Sequence, residues 1–172
     1  MNENFFPYML KTFKILLILI LGLILIRTFI IEPARVNGRS MEPTYFDNDI
    51  FFVNKFSLLL HAPQHGELVQ IYEHEQSKFL IKRIIGLPGE QIIIKQNSVF
   101  IVDHNGQETK LNEPYLANGI ITKPEEGGNA IYPILRPHEY FVLGDNRPQS
   151  IDSRYYGAVH RSDIIGSALT FF

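Results

Sequence analysis

The sequence contains no cysteine, carries almost no net charge, and has only one hydrophobic run long enough to enter a bilayer. Without cysteine the chain has no disulfide bond, no thiolate zinc site and no cysteine nucleophile, and it suits either side of a membrane. A formal net charge of -2 without a basic block argues against nucleic-acid binding. The six histidines lie mostly in predicted turns and polar loops, without metal-ligand spacing, so no metal and no cofactor are expected.

The length of 172 residues, 45% of them apolar, suits one modest globular domain plus an appendage. The appendage is the hydrophobic run, which is apolar or glycine over residues 15–26 and reaches Ile31 if Arg27 and Thr28 are tolerated. Residues 15–31 are therefore predicted to form a transmembrane anchor. A cleaved signal peptide is the alternative, but no small-x-small cleavage site follows Arg27. Positive charges balance across the run, so they leave its orientation open.

Ser40 is the candidate nucleophile, in a turn that follows the anchor. A serine hydroxyl attacks carbonyl groups poorly without a base in hydrogen-bond reach and a donor for the oxyanion. The Gly-x-Ser-x-Gly elbow of α/β-hydrolases is unlike this segment, because Glu42 stands at the second glycine. Nine residues lead from Ile31 to Ser40 and span at most about 30 Å, which keeps Ser40 close to the membrane surface. An ordinary turn stiffened by Pro43 is the alternative.

The rest of the chain predicts an all-β domain. Residues 56–60 form an apolar patch and are predicted to lie in the core. The alternative is a loop that dips into the membrane interface. Residues 112–129 are expected to be a long surface loop. The predicted strands are residues 50–53, 68–72, 79–85, 91–95, 98–102, 108–111, 139–143 and 164–172.

Lys82 is the candidate base, in the strand predicted for residues 79–85. Alternation puts Lys82 on one face with Leu80 and Ile84, and both faces of this strand look buried. Burial disfavours the ammonium and lowers the pKa of a lysine, and a neutral amine is a general base. The alternative is that Lys82 reaches solvent from an edge strand while Arg83 pairs with an acid.

A third group of polar residues fills residues 144–157, which carry more paired charges and hydroxyls than an ordinary loop. Asp152 and Arg154 could form the buried ion pair that fixes this turn. Ser150 could exchange a hydrogen bond with the lysine amine. Taken alone, the segment is also compatible with an elaborate turn that has no catalytic part.

Together these motifs resemble the bacterial type I signal peptidases over residues 27–172, nearly the whole domain beyond the anchor. Three motifs, each several residues long, occur in the family's order. They are Gly38-x-Ser40-Met41-x-Pro43-Thr44, Lys82-Arg83-Ile84-Ile85-Gly86-Leu87-Pro88-Gly89 and Gly144-Asp145-Asn146-Arg147-x-x-Ser150-x-Asp152-Ser153-Arg154.

The resemblance implies a membrane-bound serine endopeptidase that removes signal peptides from secreted preproteins, cutting after Ala-x-Ala-like sites. It implies antiparallel coiled sheets, with residues 1–14 cytoplasmic, 15–31 in the bilayer and 32–172 outside as the catalytic domain. A monomer of the compact Gram-positive form is expected, with preproteins and the lipid bilayer as partners. The implied residues are Ser40 as nucleophile, Lys82 as general base, Ser150 to orient the lysine, and the ion pairs Arg83–Asp145 and Asp152–Arg154.

Apolar walls from Val36, Leu80 and Ile81 are expected to leave room only for small substrate side chains. One departure concerns the oxyanion, because Gly38 stands where some members place a serine, so the second donor is not identified. Two other functions remain as alternatives. A self-cleaving repressor-type protease would carry a DNA-binding head, whereas this chain has an anchor. A non-catalytic tethered β domain would be expected to have lost Ser40 or Lys82.

Overall fold

The computed structural model describes residues 5–74 and 77–169. It begins with a long helix, α1 (Phe5–Phe29), in which Pro7–Leu25 has a mean hydropathy of 2.2 and is apolar enough to cross a membrane. The helix includes the residues before the predicted anchor as far back as Phe5, the first described residue, because lysine is a good helix former and Lys11 and Lys14 do not interrupt it. Proline is tolerated in a first helical turn, where its missing N–H has no intrahelical partner, so Pro7 does not break it.

Two antiparallel sheets follow, which confirms the all-β prediction. Seven strands form the larger sheet in the order β1-β2-β11-β3-β4-β9-β10, and four form the smaller in the order β7-β6-β5-β8. Residues 170–172 of the last predicted strand lie outside the described residues. The strands are β1 (Ile31–Arg35), β2 (Ile50–Asn54), β3 (Leu68–Glu73), β4 (Lys78–Gly86), β5 (Gln91–Lys95), β6 (Ser98–Val102), β7 (Glu108–Lys110), β8 (Ala130–Ile131), β9 (Glu139–Leu143), β10 (Val159–His160) and β11 (Ile164–Leu169).

Three of these strands were not predicted from the sequence. Strand β1 contains Pro33 and two charged residues, a composition that does not indicate a strand. It lies at the edge of the larger sheet, where proline is tolerated because one side of an edge strand makes no ladder bonds. Strands β8 and β10 have two residues each, too short for a periodic pattern.

The core assignment of residues 56–60 is wrong for most of the patch. These residues include a short helix, α2 (Ser57–Leu60), whose Leu59 and Leu60 are 78% and 69% exposed. Only one side of a single helical turn can face the protein, and that side carries Leu58, which packs on the core, and the buried Ser57. Contact of the exposed side with the membrane interface stays a prediction.

Strand β4 organises the larger sheet. It pairs with β3 from Lys78 to Arg83, and with β9 only from Arg83 onward, where a bulge separates Ile84 from Gly86. The chain that leaves β9 after Leu143 therefore emerges beside the middle of β4. This register brings residues 144–157 next to the strand that carries Lys82.

Candidate active site

Lys82 lies in the interior of the protein, only 1% exposed. The alternative in which it reaches solvent is wrong, because Lys82 is buried although β9 pairs with β4 only from Arg83 onward. Its ammonium nitrogen donates a hydrogen bond to Ser150 Oγ at 3.1 Å. Burial lowers the pKa of Lys82 to about 8, a shift that the negative charge of Asp152 partly opposes. About a tenth of Lys82 is therefore uncharged at pH 7 and able to accept a proton, far more than of an ordinary lysine.

Ser40 is half-buried and lines the same cavity as Lys82, a space of about 410 Å³. The serine segment is attached to the chain that leaves β9. The backbone N–H of Asn146 donates to the carbonyl oxygen of Ser40 at 2.9 Å, and the Asn146 side chain donates to the carbonyl of Arg39 at 3.0 Å. The structure thus brings the two predicted catalytic residues to one cavity, and Asn146 connects the Ser40 turn to the segment that carries Ser150.

Gly144 explains how Ser40 and Ser150 approach each other so closely. A Cβ atom at this position would overlap the side chain of Ser150 and lie 2.5 Å from the carbonyl oxygen of Ser40. Backbone and a packed side chain cannot both move away from such a contact, so the position requires glycine. Sequence inspection placed Gly144 in a motif without identifying this role.

Arg83 faces away from Lys82, as strand alternation requires, and forms an ion pair with Asp145 at 2.6 Å. Its guanidinium also donates to the carbonyl oxygen of Gly66 at 2.7 Å and stacks 3.8 Å from the ring centroid of Tyr115. Asp145 accepts a further hydrogen bond from the hydroxyl of Thr44. Because Thr44 lies four residues after Ser40, this buried pair ties the serine turn to β4.

The ion pair of Asp152 and Arg154 lies in the same segment as Ser150, which contacts Lys82. The Asp152 carboxylate accepts from Arg154 Nε at 2.8 Å and from the backbone N–H of Gly144 at 3.0 Å, and it caps the short helix α3 (Ser153–Tyr156). Arg154 in turn donates to the carbonyl oxygens of Arg147 and Ser150 at 2.7 and 3.1 Å. The pair therefore fixes the backbone of the residue whose hydroxyl contacts Lys82.

The three predicted pocket residues line a second, smaller cavity. Val36, Leu80 and Ile81 surround it together with Ser40 and Phe51, and its volume is about 20 Å³. A cavity of that volume exceeds one water-sized sphere only slightly, so a methyl-sized group fits and a larger side chain does not. This cavity thus borders Ser40 directly.

A third buried ion pair near the site was not predicted from the sequence. Arg147 is almost fully buried and pairs with Glu113, and it also donates to the hydroxyl of Thr122. Glu113 and Thr122 belong to the surface loop of residues 112–129, where no local pattern distinguishes them from other polar loop residues. Only the fold shows that this loop packs against the motif that contains Ser150.

Gly38 does not supply the missing oxyanion donor. It has a φ of +94°, and its backbone N–H donates to Asp47 Oδ1 at 2.7 Å, so this N–H is already engaged. Across the described ranges 5–74 and 77–169, no group of three or more His, Asp or Glu residues could hold a metal ion. The chemistry that these residues can support is that of a serine and an amine.

The fold and the site together define the class of protein: an antiparallel β hydrolase with a serine and a buried amine in one cavity. Comparison with known proteins then identifies the family. The profile described as "Signal peptidase, peptidase S26" matches residues 9–172. The chain therefore belongs to the signal peptidase family, peptidase S26, and it is an enzyme of the signal peptidase I type, a serine peptidase.

Relatives with this name match most of the chain. Signal peptidase I P of Bacillus subtilis subsp. natto is 38% identical over 165 residues, which cover 92% of this chain and 86% of that protein. The probable signal peptidase I-2 of Synechocystis is 37% identical over 177 residues, with 99% and 74% covered. The crystal structure of a signal peptidase I from Enterococcus faecalis aligns with a TM-score of 0.51 and 31% identity, covering 64% of this chain and 98% of that one.

Proposed function

We propose that this protein removes signal peptides from secreted preproteins, with Ser40 as nucleophile and Lys82 as general base. One observation carries the proposal: Lys82 is buried without an ionic partner among the described residues, has a pKa lowered to about 8, and shares a cavity with Ser40. Family membership supports the substrate class, because the curated relatives are signal peptidases.

The proposed reaction follows from these positions. The neutral amine of Lys82 takes the proton of the Ser40 hydroxyl while Ser40 Oγ attacks the scissile carbonyl carbon. The amine then gives that proton to the leaving amino group as the peptide bond breaks, and an acyl-enzyme remains on Ser40 until water releases it. Ser150 orients the amine, and the backbone N–H of Ser40 is one proposed oxyanion donor.

Binding of the preprotein would use the free side of β4. Residues 78–82 pair with β3 on one side, and no described strand pairs with them on the other side, because β9 ends at Leu143 beside Arg83. An extended peptide can add a strand to such an edge, which would lay its alternate side chains toward Ser40. The cavity of about 20 Å³ at Val36, Leu80 and Ile81 would accept the alanine before the cut.

The membrane arrangement is also a proposal. Residues 1–14 would be cytoplasmic, residues 15–31 would cross the bilayer, and residues 32–172 would form the catalytic domain outside. Helix α1 contains an apolar stretch of suitable length, and β1 begins at Ile31, so the first strand of the domain follows the helix almost directly. Such an arrangement would hold the active site near the membrane, where a monomer could meet membrane-inserted preproteins.

The cut position is the direct test. The full-length protein in detergent is expected to cleave a preprotein once, after an Ala-x-Ala site, as mapped by mass spectrometry. Replacing the last alanine of the substrate by leucine should slow cleavage roughly 100-fold, because the added carbons do not fit a methyl-sized pocket. Equal rates on both preproteins, or a cut elsewhere, would contradict the proposed specificity.

The pH dependence tests the role of Lys82. A protonated amine cannot accept the serine proton, so kcat/KM should be constant above about pH 8 and fall about tenfold per unit below it. The positive charge of Lys78 helps to lower the pKa of Lys82, so Lys78→Gln should move this limb to higher pH. The control Lys55→Gln, in an exposed pair with Glu32, should leave it unchanged. A flat profile down to about pH 5 would eliminate Lys82 as the base.

A further inference from the structure

The carboxylate of Glu113 and the guanidinium of Arg147 form a buried ion pair that the proposed reaction does not use, with side chains 9% and 1% exposed. Glu113 engages Arg147 with both carboxylate oxygens, one of them 3.2 Å from Nη1. A two-pronged contact of this kind fixes the plane of the guanidinium as well as its charge. Apolar residues of similar volume often stabilise a protein as well as a buried pair does, so stability alone does not explain this one.

Arg147 closes the turn between Gly144 and Ser150. Its Nε donates to the carbonyl oxygen of Gly144 at 3.1 Å, and its own carbonyl oxygen accepts from Arg154 at 2.7 Å. Arg147 also begins a short 3-10 helix that leads directly into Ser150. The hydroxyl of Ser150 in turn accepts the hydrogen bond of Lys82. A shift of the Arg147 side chain would therefore move Ser150 relative to the lysine amine.

Tyr115 links Glu113 to the buried ion pair of Arg83 and Asp145. Its hydroxyl donates to Glu113 Oε1 at 2.8 Å, and its ring centroid lies 3.8 Å from Arg83 Cζ. Asp145, the partner of Arg83, accepts a hydrogen bond from Thr44 in the serine turn. Through Tyr115, the loop of residues 112–129 thus also contacts the arginine that ties the serine turn to β4.

This loop is itself held in place by the smaller sheet. The backbone N–H of Leu111 donates to the carbonyl oxygen of Val99 at 2.9 Å, and the backbone N–H of Thr122 donates to that of Asn97 at 3.0 Å. Both acceptors belong to the hairpin of β5 and β6. The hydroxyl of Thr122 also accepts a hydrogen bond from Arg147. The loop therefore connects the smaller sheet directly to the segment that carries the catalytic hydrogen bond.

We propose that Glu113 is a positioning residue for the cleavage reaction. It holds the Arg147 guanidinium against the carbonyl oxygen of Gly144. That contact keeps the hydroxyl of Ser150 beside the amine of Lys82. Glu113 touches no reacting atom, and its effect passes through the turn between Gly144 and Ser150. The inference rests on the proposed function and adds to it a part for the surface loop.

The first test is Glu113→Gln, which keeps the shape of the side chain but removes the charge that holds Arg147 at Gly144. The full-length variant in detergent should cleave an Ala-x-Ala preprotein with kcat about 30-fold lower and KM within about twofold of the parent, because misplacing a catalytic group affects the transition state more than binding. The control Glu126→Gln, an exposed residue of the same loop, should behave like the parent.

A double variant separates positioning from stability. Glu113→Gln leaves a buried guanidinium unpaired, so its urea midpoint should fall. Glu113→Gln combined with Arg147→Met has no unpaired charge and should recover most of the midpoint. Its kcat should stay about 30-fold low, because the carbonyl of Gly144 still lacks its donor. Recovery of kcat together with the midpoint would mean that Glu113 only stabilises the fold. If Glu113→Gln does not fold, the double variant alone decides.

The route through Ser150 is tested with Ser150→Ala, measured with enzyme in excess. This variant should lose activity on its own, and adding Glu113→Gln should lower kcat less than about twofold further, because the hydroxyl that Glu113 positions is already absent. Multiplication of the two separate losses would overturn the proposal, as would a kcat of Glu113→Gln within twofold of the parent. If the parent does not cleave the preprotein, the proposed function itself is wrong.

Discussion

Lys82→Met is expected to abolish cleavage and at the same time to stabilise the protein. Loss of the base should lower kcat/KM at least about 10³-fold. The lowered pKa means that the unfolded chain binds a proton more readily than the folded one between about pH 8 and pH 10.5. Below about pH 8 the buried charge costs the folded state its full penalty of about 3 kcal/mol, and methionine removes that cost.

The stability gained by Lys82→Met should be smaller than this penalty, because Ser150 loses the donor of its hydrogen bond. That loss costs about 1 kcal/mol. Urea unfolding in detergent should therefore show Lys82→Met about 2 kcal/mol more stable than the parent near pH 6. The difference should shrink as the pH rises toward 10.5, where the lysine is neutral in both states.

Ser40→Ala is the matched control for this variant. It should lose cleavage to the same extent, because the nucleophile and its base act as a unit, but it removes no buried charge and should not gain stability. Retention of cleavage by either variant would disprove the dyad. If Lys82→Met were less stable than the parent at every pH, burial of the charged lysine would not destabilise the folded state.

Asp152→Ala should destabilise the protein by about 3 to 5 kcal/mol, because it leaves the guanidinium of Arg154 buried without its carboxylate. A domain with a total stability of about 5 to 15 kcal/mol would lose much of it. The backbone N–H of Gly144 also loses its acceptor, so the position of Ser150 and activity should suffer with the fold. The urea midpoint measures the loss.

Two further variants separate burial from charge in this effect. Asp152→Ala combined with Arg154→Met should recover part of the lost stability, because no unpaired charge remains. Glu42→Gln, which breaks the largely exposed pair with Arg39, should change the midpoint little. If Asp152→Ala were as mild as Glu42→Gln, the buried pair would not be what holds the Ser150 loop.

Most strands could be predicted because their side chains alternate or form short apolar runs between turn residues, as in β4 and the hairpin of β5 and β6. Strand β1 could not, since an edge position tolerates proline and charge for reasons that only the sheet order supplies. The prediction that residues 56–60 lie in the core was wrong for a related reason. Composition measures hydrophobicity, but which side of α2 faces the protein depends on its neighbours.

The sequence by itself determined the composition of the site: a serine in a stiff turn, a lysine within an apolar strand, and a loop with a second serine and paired charges. It did so because each of these residue types is uncommon in its local setting. Whether Lys82 was buried or at an edge was left open, since alternation assigns a face but no neighbours.

Only the tertiary structure decided that question, because the segment that follows β9 packs against Lys82 through Ser150 although β9 itself pairs with β4 only from Arg83 onward. It also decided the approach of Ser40 to Ser150, which requires the absent side chain of Gly144, and the contribution of the loop that carries Glu113 and Thr122. Contacts between residues far apart in the chain depend on strand order and register. Those are properties of the packed sheet, and no short segment of sequence contains them.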